Sequence, residues 1–258
     1  MTAAGPWVVV GLFGAIVGSF LNVCIHRLPR GQSIVWPASA CPNCNRRLAW
    51  YENLPIVSFA ALGGRCRGCR APIAVRYPIV ESMTAALFIT SFWLFGPGLL
   101  FVSRTLFGCA LIVLFFIDLE HHLLPNVITL PGIVVGFAFS LFGDPGWLSS
   151  LVGVAIGGGL LFAIAETYYR LRHEEGLGMG DVKMLAMIGA FVGWQLTLVA
   201  LMMASIAGSL VGVLLIATRR GTMKYALPFG TFLAMGAMLA VVFGPGLLNW
   251  YLGLLYTP

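Results

Sequence analysis

Gly176-Leu177-Gly178-Met179-Gly180-Asp181 sets a carboxylate behind three glycines just where a new apolar segment begins at Val182. Glycine allows close backbone approach and φ values closed to other residues. An acid at the edge of a membrane span is costly enough to point to a function. The same acid also fits the cap of a helix N-terminus, where the helix dipole favours an anion. The choice between these readings rests on what the rest of the chain delivers to Asp181.

That chain reads as a membrane protein. Of its 258 residues, 59% are hydrophobic and 9% charged, against roughly 25% charged in soluble domains. The first apolar segment, 7–25, lacks a basic n-region and a small-residue cleavage site, so it reads as a retained span. Seven more apolar stretches follow, at about 78–95, 99–117, 126–142, 147–168, 182–194, 196–217 and 230–252, the sixth of the eight being the shortest. As helices, such segments cross a hydrocarbon core of about 30 Å. Gly/Pro clusters separate them, together with Trp194-Gln195 and the Arg219-Arg220-Gly221 loop. The expected fold is an all-α polytopic membrane protein of about eight transmembrane helices, with a small cytoplasmic insertion after the first. The divisions are 1–26 for the first helix, 27–77 for the insertion and 78–258 for a seven-helix membrane domain.

Charge orients it. The segment 27–77 carries eight arginines against one acid, Glu52. If eight crossings alternate sides, 14 of the 15 Lys and Arg lie on one face, Arg104 being the exception. That excess marks the cytoplasmic side and puts both termini outside. The net charge of +6 therefore follows membrane orientation. Membrane lipid is the expected partner, and nucleic acid is not.

The same parity brings two acids together. Asp118 ends the third span at the cytoplasmic face and Asp181 opens the sixth at that face, because two crossings intervene. Two carboxylates at one membrane depth share a proton when close, since both do not readily ionise. One ionised and one neutral acid are what peptide hydrolysis by a carboxyl pair requires, and the pair titrates jointly.

Cys41-Pro42-Asn43-Cys44 and Cys66-Arg67-Gly68-Cys69 are two Cys-x2-Cys knuckles with 21 residues between them. Four thiolates at this spacing suit a tetrahedral structural zinc site. Disulfides are the alternative, and they are rare in the reducing compartment where the topology places this segment. Cys24 and Cys109 lie in apolar spans and read as packing residues.

In order and spacing, these pieces resemble the type IV prepilin peptidases, bifunctional leader peptidases and N-methyltransferases of bacterial inner membranes. The likeness rests on Gly18-Ser19-Phe20-Leu21-Asn22-Val23 leading to His26-Arg27-Leu28-Pro29, on the paired knuckles, and on Asp118 with Leu124-Pro125 behind it. It continues through Gly178-Met179-Gly180-Asp181-Val182-Lys183 to Pro228-Phe229-Gly230. The resemblance implies a membrane aspartic endopeptidase with catalytic Asp118 and Asp181, and makes 78–258 the peptidase domain. It implies a prepilin or pseudopilin substrate whose basic leader is removed at the cytoplasmic boundary, and S-adenosylmethionine as methyl donor for the new N-terminus. Relatives often carry Asp where this chain has Glu120 and Asn126.

Gly178 and Gly180, with Gly176, are expected to support the loop, letting a substrate strand approach or the loop move. Lys183 either tunes the acid pair or anchors its helix to headgroups. Glu174 and Glu175 either offset the basic face toward a basic leader or are solvated loop residues. His121 and His122 lack the His-Glu-x-x-His spacing of a zinc protease. Glu81, one turn inside the second span, is a candidate for the methyl-transfer step or a structural acid paired with Arg76 or His26. No G-x-G-x-x-G fingerprint marks a donor site, and Gly153, Gly157, Gly158 and Gly159 read as helix packing. Two other functions fit the same acids: a leader peptidase without methyl transfer, and an ion-coupled transporter, whose acids would be expected near the midplane.

Overall fold

A computed structural model describes residues 4–173, 178–218 and 227–256. Its helices are α1 (Ala4–Arg27), α2 (Val57–Ala61), α3 (Arg76–Phe95), α4 (Leu99–His121), α5 (Asn126–Ser140), α6 (Trp147–Arg172), α7 (Met179–Ala217) and α8 (Phe229–Tyr256). Six of them, all but α2 and α5, are long and apolar enough to cross a membrane. The protein is thus a multi-pass helical membrane protein. It divides into two compact units, Met1–Val113 and Leu114–Pro258.

In the first unit, α1 and α3 pack antiparallel along a stripe of glycines. A Cβ on Gly14 would lie 2.9 Å from Ala85 Cα, and one on Gly18 would lie 2.7 Å from Glu81 Cα. At the far end Trp7 meets Phe92 edge to face, with ring centroids 5.1 Å apart. The outer side of α1 leaves Val8, Leu12, Phe13 and Ile16 exposed. Such a surface is at home in lipid, where apolar exposure carries no penalty.

The second unit is built around α7. Gly153 and Gly189 bring the α6 and α7 backbones into contact, and a Cβ on Gly157 would lie 2.5 Å from Leu185 O. Ser150 Oγ donates to Ala190 O at 2.8 Å. Residues rising along α6 thus meet residues falling along α7, so the two run antiparallel. The expected packing role of Gly153 and Gly157 is seen directly, whereas a Cβ on Gly159 would meet nothing. Gly153→Ala would set its methyl 2.5 Å from Gly189 O. It is expected to destabilise the protein by about 1–3 kcal/mol, read as a lower midpoint in detergent unfolding.

Although α7 is a single run of 39 residues, Gly193 breaks it with φ 78° and ψ 170°. That φ belongs to glycine, and a Cβ there would also meet Ser149 Oγ and, at 2.9 Å, Pro145. Beyond the break, Leu196, Ala200 and Gly208 pair with Gly244, Gly236 and Phe232 of α8, in descending order. The start of α8 and the start of α7 both touch Leu124, through Gly230 and Gly180. The limb after Gly193 therefore returns to the end from which the limb before it left. The expected sixth and seventh spans are these two limbs, with the reversal at Gly193, one residue before the predicted Trp194-Gln195 break. Counting both limbs and the shorter α5 gives eight segments. The helix α5 has 15 residues, about 22 Å at 1.5 Å per residue, and so is shorter than the expected span at 126–142.

Candidate active site

Asp118 lies in the last turn of α4, only 5% exposed. Its Oδ2 accepts two hydrogen bonds from Thr231, from the backbone N–H at 2.7 Å and from Oγ1 at 3.1 Å. Thr231 stands in the first turn of α8, where backbone donors lack full helical partners. Its N–H has Pro228 O at 3.2 Å and turns also to the acid. At the other side of α4's end, His122 has φ 51° and donates its N–H to Asp118 O at 2.9 Å, closing the helix.

Asp181 is in the first turn of α7, behind the cap residue Gly178, and is half-buried. Its carboxyl is within electrostatic reach of Asp118. Leu124 is the wedge that sets this arrangement. A Cβ on Gly180 would lie 2.9 Å from Leu124 Cβ, and one on Gly230 would lie 2.9 Å from Leu124 Cδ1 and 3.0 Å from Asp118 Oδ2. Small residues at both positions let the starts of α7 and α8 close on the end of α4.

The two loop glycines are therefore unequal. Gly178 has φ −71° and ψ 135°, a conformation open to any residue. A Cβ on it would meet Asp181 Oδ2 at an ordinary 3.4 Å. Gly180→Ala is expected to cost about 10²-fold in peptide cleavage, since displacement of a catalytic group by about 1 Å costs that much. Gly178→Ala should stay within about threefold, as surface changes away from packed contacts do. Initial rates on one leader peptide compare the two.

Lys183 Nζ donates to Asn126 Oδ1 at 2.9 Å, tying the first turn of α7 to the first turn of α5. The departure at Asn126 thus has a partner here. Glu120 is exposed and its Oε2 lies 4.0 Å from His121 Nε2. Gly176, Glu174 and Glu175 lie outside the described residues. Thr231 and Leu124 are the members of the site whose contacts no motif announced, although Thr231 adjoins the quoted Pro228-Phe229-Gly230 and Leu124 is itself part of the quoted Leu124-Pro125.

In the first unit the four knuckle cysteines converge. Their Sγ atoms lie within 4.8 Å of one another, and Cys41 and Cys69 are 3.8 Å apart. A zinc ion with bonds of about 2.3 Å to four sulfurs sets them about 3.8 Å apart. Both knuckles are built alike. Cys41 N–H donates to Arg46 O and Cys66 N–H to Ala71 O, each at 2.9 Å, and the turns close at Asn45 (φ 53°) and Arg70 (φ 61°). N–H groups point at the sulfurs: Asn43 Nδ2 to Cys69 at 3.5 Å and Gly68 N to Cys66 at 3.4 Å. The Asn43 amide, followed by the Ala71 backbone, pulls the Cys69 thiol down to about 6. This donor set fits a metal that takes thiolates. All six cysteines are unpaired by disulfides.

Beside the knuckles, the Glu52 carboxylate accepts Ala49 N–H at 2.9 Å and Arg46 Nη2 at 2.6 Å. These bonds, in that order, hold it below the usual carboxylate range. Its contribution is therefore present at neutral pH and lost as pH falls through that depressed value. Glu81 lies on α3, 7% exposed, and accepts the N–H of Ile56 at 2.7 Å.

Residues 12–95 match the family model described as Bacterial Peptidase A24 N-terminal domain, and residues 105–213 match that described as Type IV leader peptidase family. A protein of Aeromonas hydrophila named prepilin leader peptidase/N-methyltransferase is 36% identical over 96% of this chain and 95% of its own. Proteins of the same name from Myxococcus xanthus and Pseudomonas aeruginosa are 45% and 34% identical. They cover 84% and 93% of this chain and 66% and 91% of theirs. No solved structure matches.

Proposed function

The chain belongs to the type IV leader peptidase family, and on that footing we propose that it is a prepilin leader peptidase and N-methyltransferase whose peptidase acids are Asp118 and Asp181. It cleaves the leader of type IV prepilin-like proteins and methylates the N-terminus so exposed. The observation that supports the assignment of the acids is the packing around Leu124, against which Gly180, the neighbour of Asp181, and Gly230, the neighbour of Asp118 Oδ2, both close, with Thr231 bonded to that same oxygen.

Thr231 fixes Asp118 Oδ2 and so orients its other oxygen for chemistry. In the ionised acid that oxygen takes a proton from the attacking water, while the neutral partner donates to the carbonyl oxygen and then to the departing amine. The peptide bond breaks between the leader's last carbonyl and the mature N-terminus. The leader remains at the cytoplasmic face and the apolar segment behind it stays among the spans. In the same reading the protein lies in a bacterial inner membrane with both termini periplasmic and the acids facing the cytoplasm, as the distribution of Lys and Arg supports.

Cys41, Cys44, Cys66 and Cys69 would hold one structural zinc, leaving no open position for chemistry. S-adenosylmethionine, the co-substrate, supplies an electrophilic methyl group on a sulfonium. Mass spectrometry of a candidate prepilin incubated with the protein, with and without S-adenosylmethionine, reads both activities at once. The expected products are one truncated at the leader and the same product heavier by one methyl group. An unchanged prepilin overturns the peptidase reading, and a truncated product of unchanged mass overturns the transferase half.

A further inference from the structure

Among the described non-glycine residues of the first unit with positive φ, Ile56 is the β-branched one. It has φ 62° and ψ −48°, and Val57 N–H closes on Pro55 O at 2.5 Å across it, a γ-turn of the rare positive-φ kind. A β-branched residue there is strained, and such strain persists at working sites because the surroundings hold it. What the turn achieves is specific: it aims Ile56 N–H at Oε2 of Glu81, 2.7 Å away. The Ser19 hydroxyl reaches the same carboxyl from α1.

One turn nearer the start of α3 a second acceptor waits. Asn22 is 2% exposed, and its Nδ2 donates to Gly18 O at 3.3 Å and to Tyr77 O at 3.0 Å. Both acceptors lie on the amide nitrogen's side, which fixes the orientation of the group. Its Oδ1 is buried and accepts no hydrogen bond. Gly18, one turn before Asn22, sits against Glu81 Cα, so Asn22 and Glu81 share the seam of α1 and α3. A buried acceptor left without a donor is costly. This seam holds a carboxylate with lone pairs to spare and a preset amide oxygen, so the complement it calls for is a compact cation with several N–H donors.

We propose that Glu81 and Asn22 form the site that receives the α-ammonium of the newly exposed substrate N-terminus, with Glu81 taking the proton that must leave before methylation. This rests on the transferase half of the proposed function. The carboxylate removes one proton from R–NH3+, giving R–NH2 and a neutral Glu81. The nitrogen lone pair then forms a bond to the sulfonium methyl carbon. The carbon–sulfur bond breaks with its electron pair on sulfur, leaving a neutral thioether and R–NH2–CH3+. Asn22 Oδ1 accepts a second N–H and so orients the lone pair. The buried Asn22 oxygen also answers whether this unit fits a methyl-transfer step: it offers acceptors to the amine, the partner that must be aligned with the donor.

A purely structural Glu81 would only fasten Ile56 to α3. Glu81→Gln separates the two, because a glutamine oxygen still accepts from Ile56 N–H but takes no proton. Leader cleavage by the variant reports that it is folded. Transfer of labelled methyl from S-adenosylmethionine is expected to fall about 10²-fold or more, in the range of lost general-base catalysis. A second readout needs no donor. Two synthetic peptides with the same apolar helix, one with a free α-amine and one N-acetylated, are titrated into detergent-solubilised protein. The wild type should bind the free amine about 10-fold more tightly, and Glu81→Gln should lose the preference. Methyl transfer by Glu81→Gln within about threefold of wild type, or equal binding of both peptides by the wild type, overturns the proposal. If the variant also loses leader cleavage, the wild-type peptide pair decides: preference for the amine upholds the site and indifference overturns it. Transfer of no methyl by the wild type, with the amine preference intact, instead defeats the transferase reading and leaves an amine-binding site.

Discussion

Asp118→Asn and Asp181→Asn should each lower leader removal by about 10³-fold or more, at unchanged protein level in the membrane. The magnitude follows from general acid–base catalysis, where each positioned group contributes about 10²–10⁴-fold. An acid pair acts as a unit, so either loss removes most of what both supply. The fold should survive both changes. An asparagine at 118 still offers a carbonyl oxygen to the two donors of Thr231. Asp181 is only half-buried in the first turn of α7, so an uncharged amide of the same size there leaves the packing unchanged. Purified variants are assayed on the same prepilin and checked for an unchanged unfolding midpoint. Near-normal cleavage by either one would sink the two-acid mechanism. The same variants should still methylate a pre-cleaved peptide, because the proposed amine site uses none of these residues.

Asp118 and Asp181 stand out in the sequence through crossing parity and two short motifs, and the structure sets them at helix ends that pack around Leu124. Their surroundings were less legible. Thr231 acts through a backbone N–H as well as its hydroxyl, and a backbone donor has no residue signature. Gly180 reads in sequence as a flexible loop residue, yet its smallness is used against Leu124, which lies 56 positions earlier. Only packing reveals that pairing. The reversal in α7 was nearly legible: an apolar run of 39 residues is too long for one crossing, and a break was expected at Trp194-Gln195. That the turn needs just one residue, Gly193, follows from a φ of 78° that composition does not encode. The Cys-x2-Cys knuckles were the clearest feature, since residue identity and spacing alone predict the convergence of four sulfurs that the structure shows. Ile56 was invisible, because nothing in Leu54-Pro55-Ile56-Val57 announces a positive φ at a β-branched residue.

Cys41→Ser should abolish metal binding and unfold the segment between α1 and α3 while the apolar helices persist. Between Leu28 and Val75 the buried residues are Cys41, Glu52 and Cys66. Such a segment has almost no hydrophobic core, at roughly 25 cal/mol per Å² of apolar burial. Structural zinc contributes about 10–16 kcal/mol in small domains of this kind, far more than the Arg46–Glu52 pair, whose arginine is 39% exposed. Elemental analysis of the purified wild type should find one zinc per chain, and the variant none. Limited proteolysis should then cut the variant within 38–73, at arginines that the wild type protects. Strong chelator should reproduce the cuts in the wild type and added zinc should reverse them. Unchanged metal content and unchanged protease resistance in Cys41→Ser would remove the structural-zinc claim. The proposed peptidase acids belong to the other unit, so leader cleavage by the variant tells whether the knuckles serve the proposed active site or only the segment that carries them.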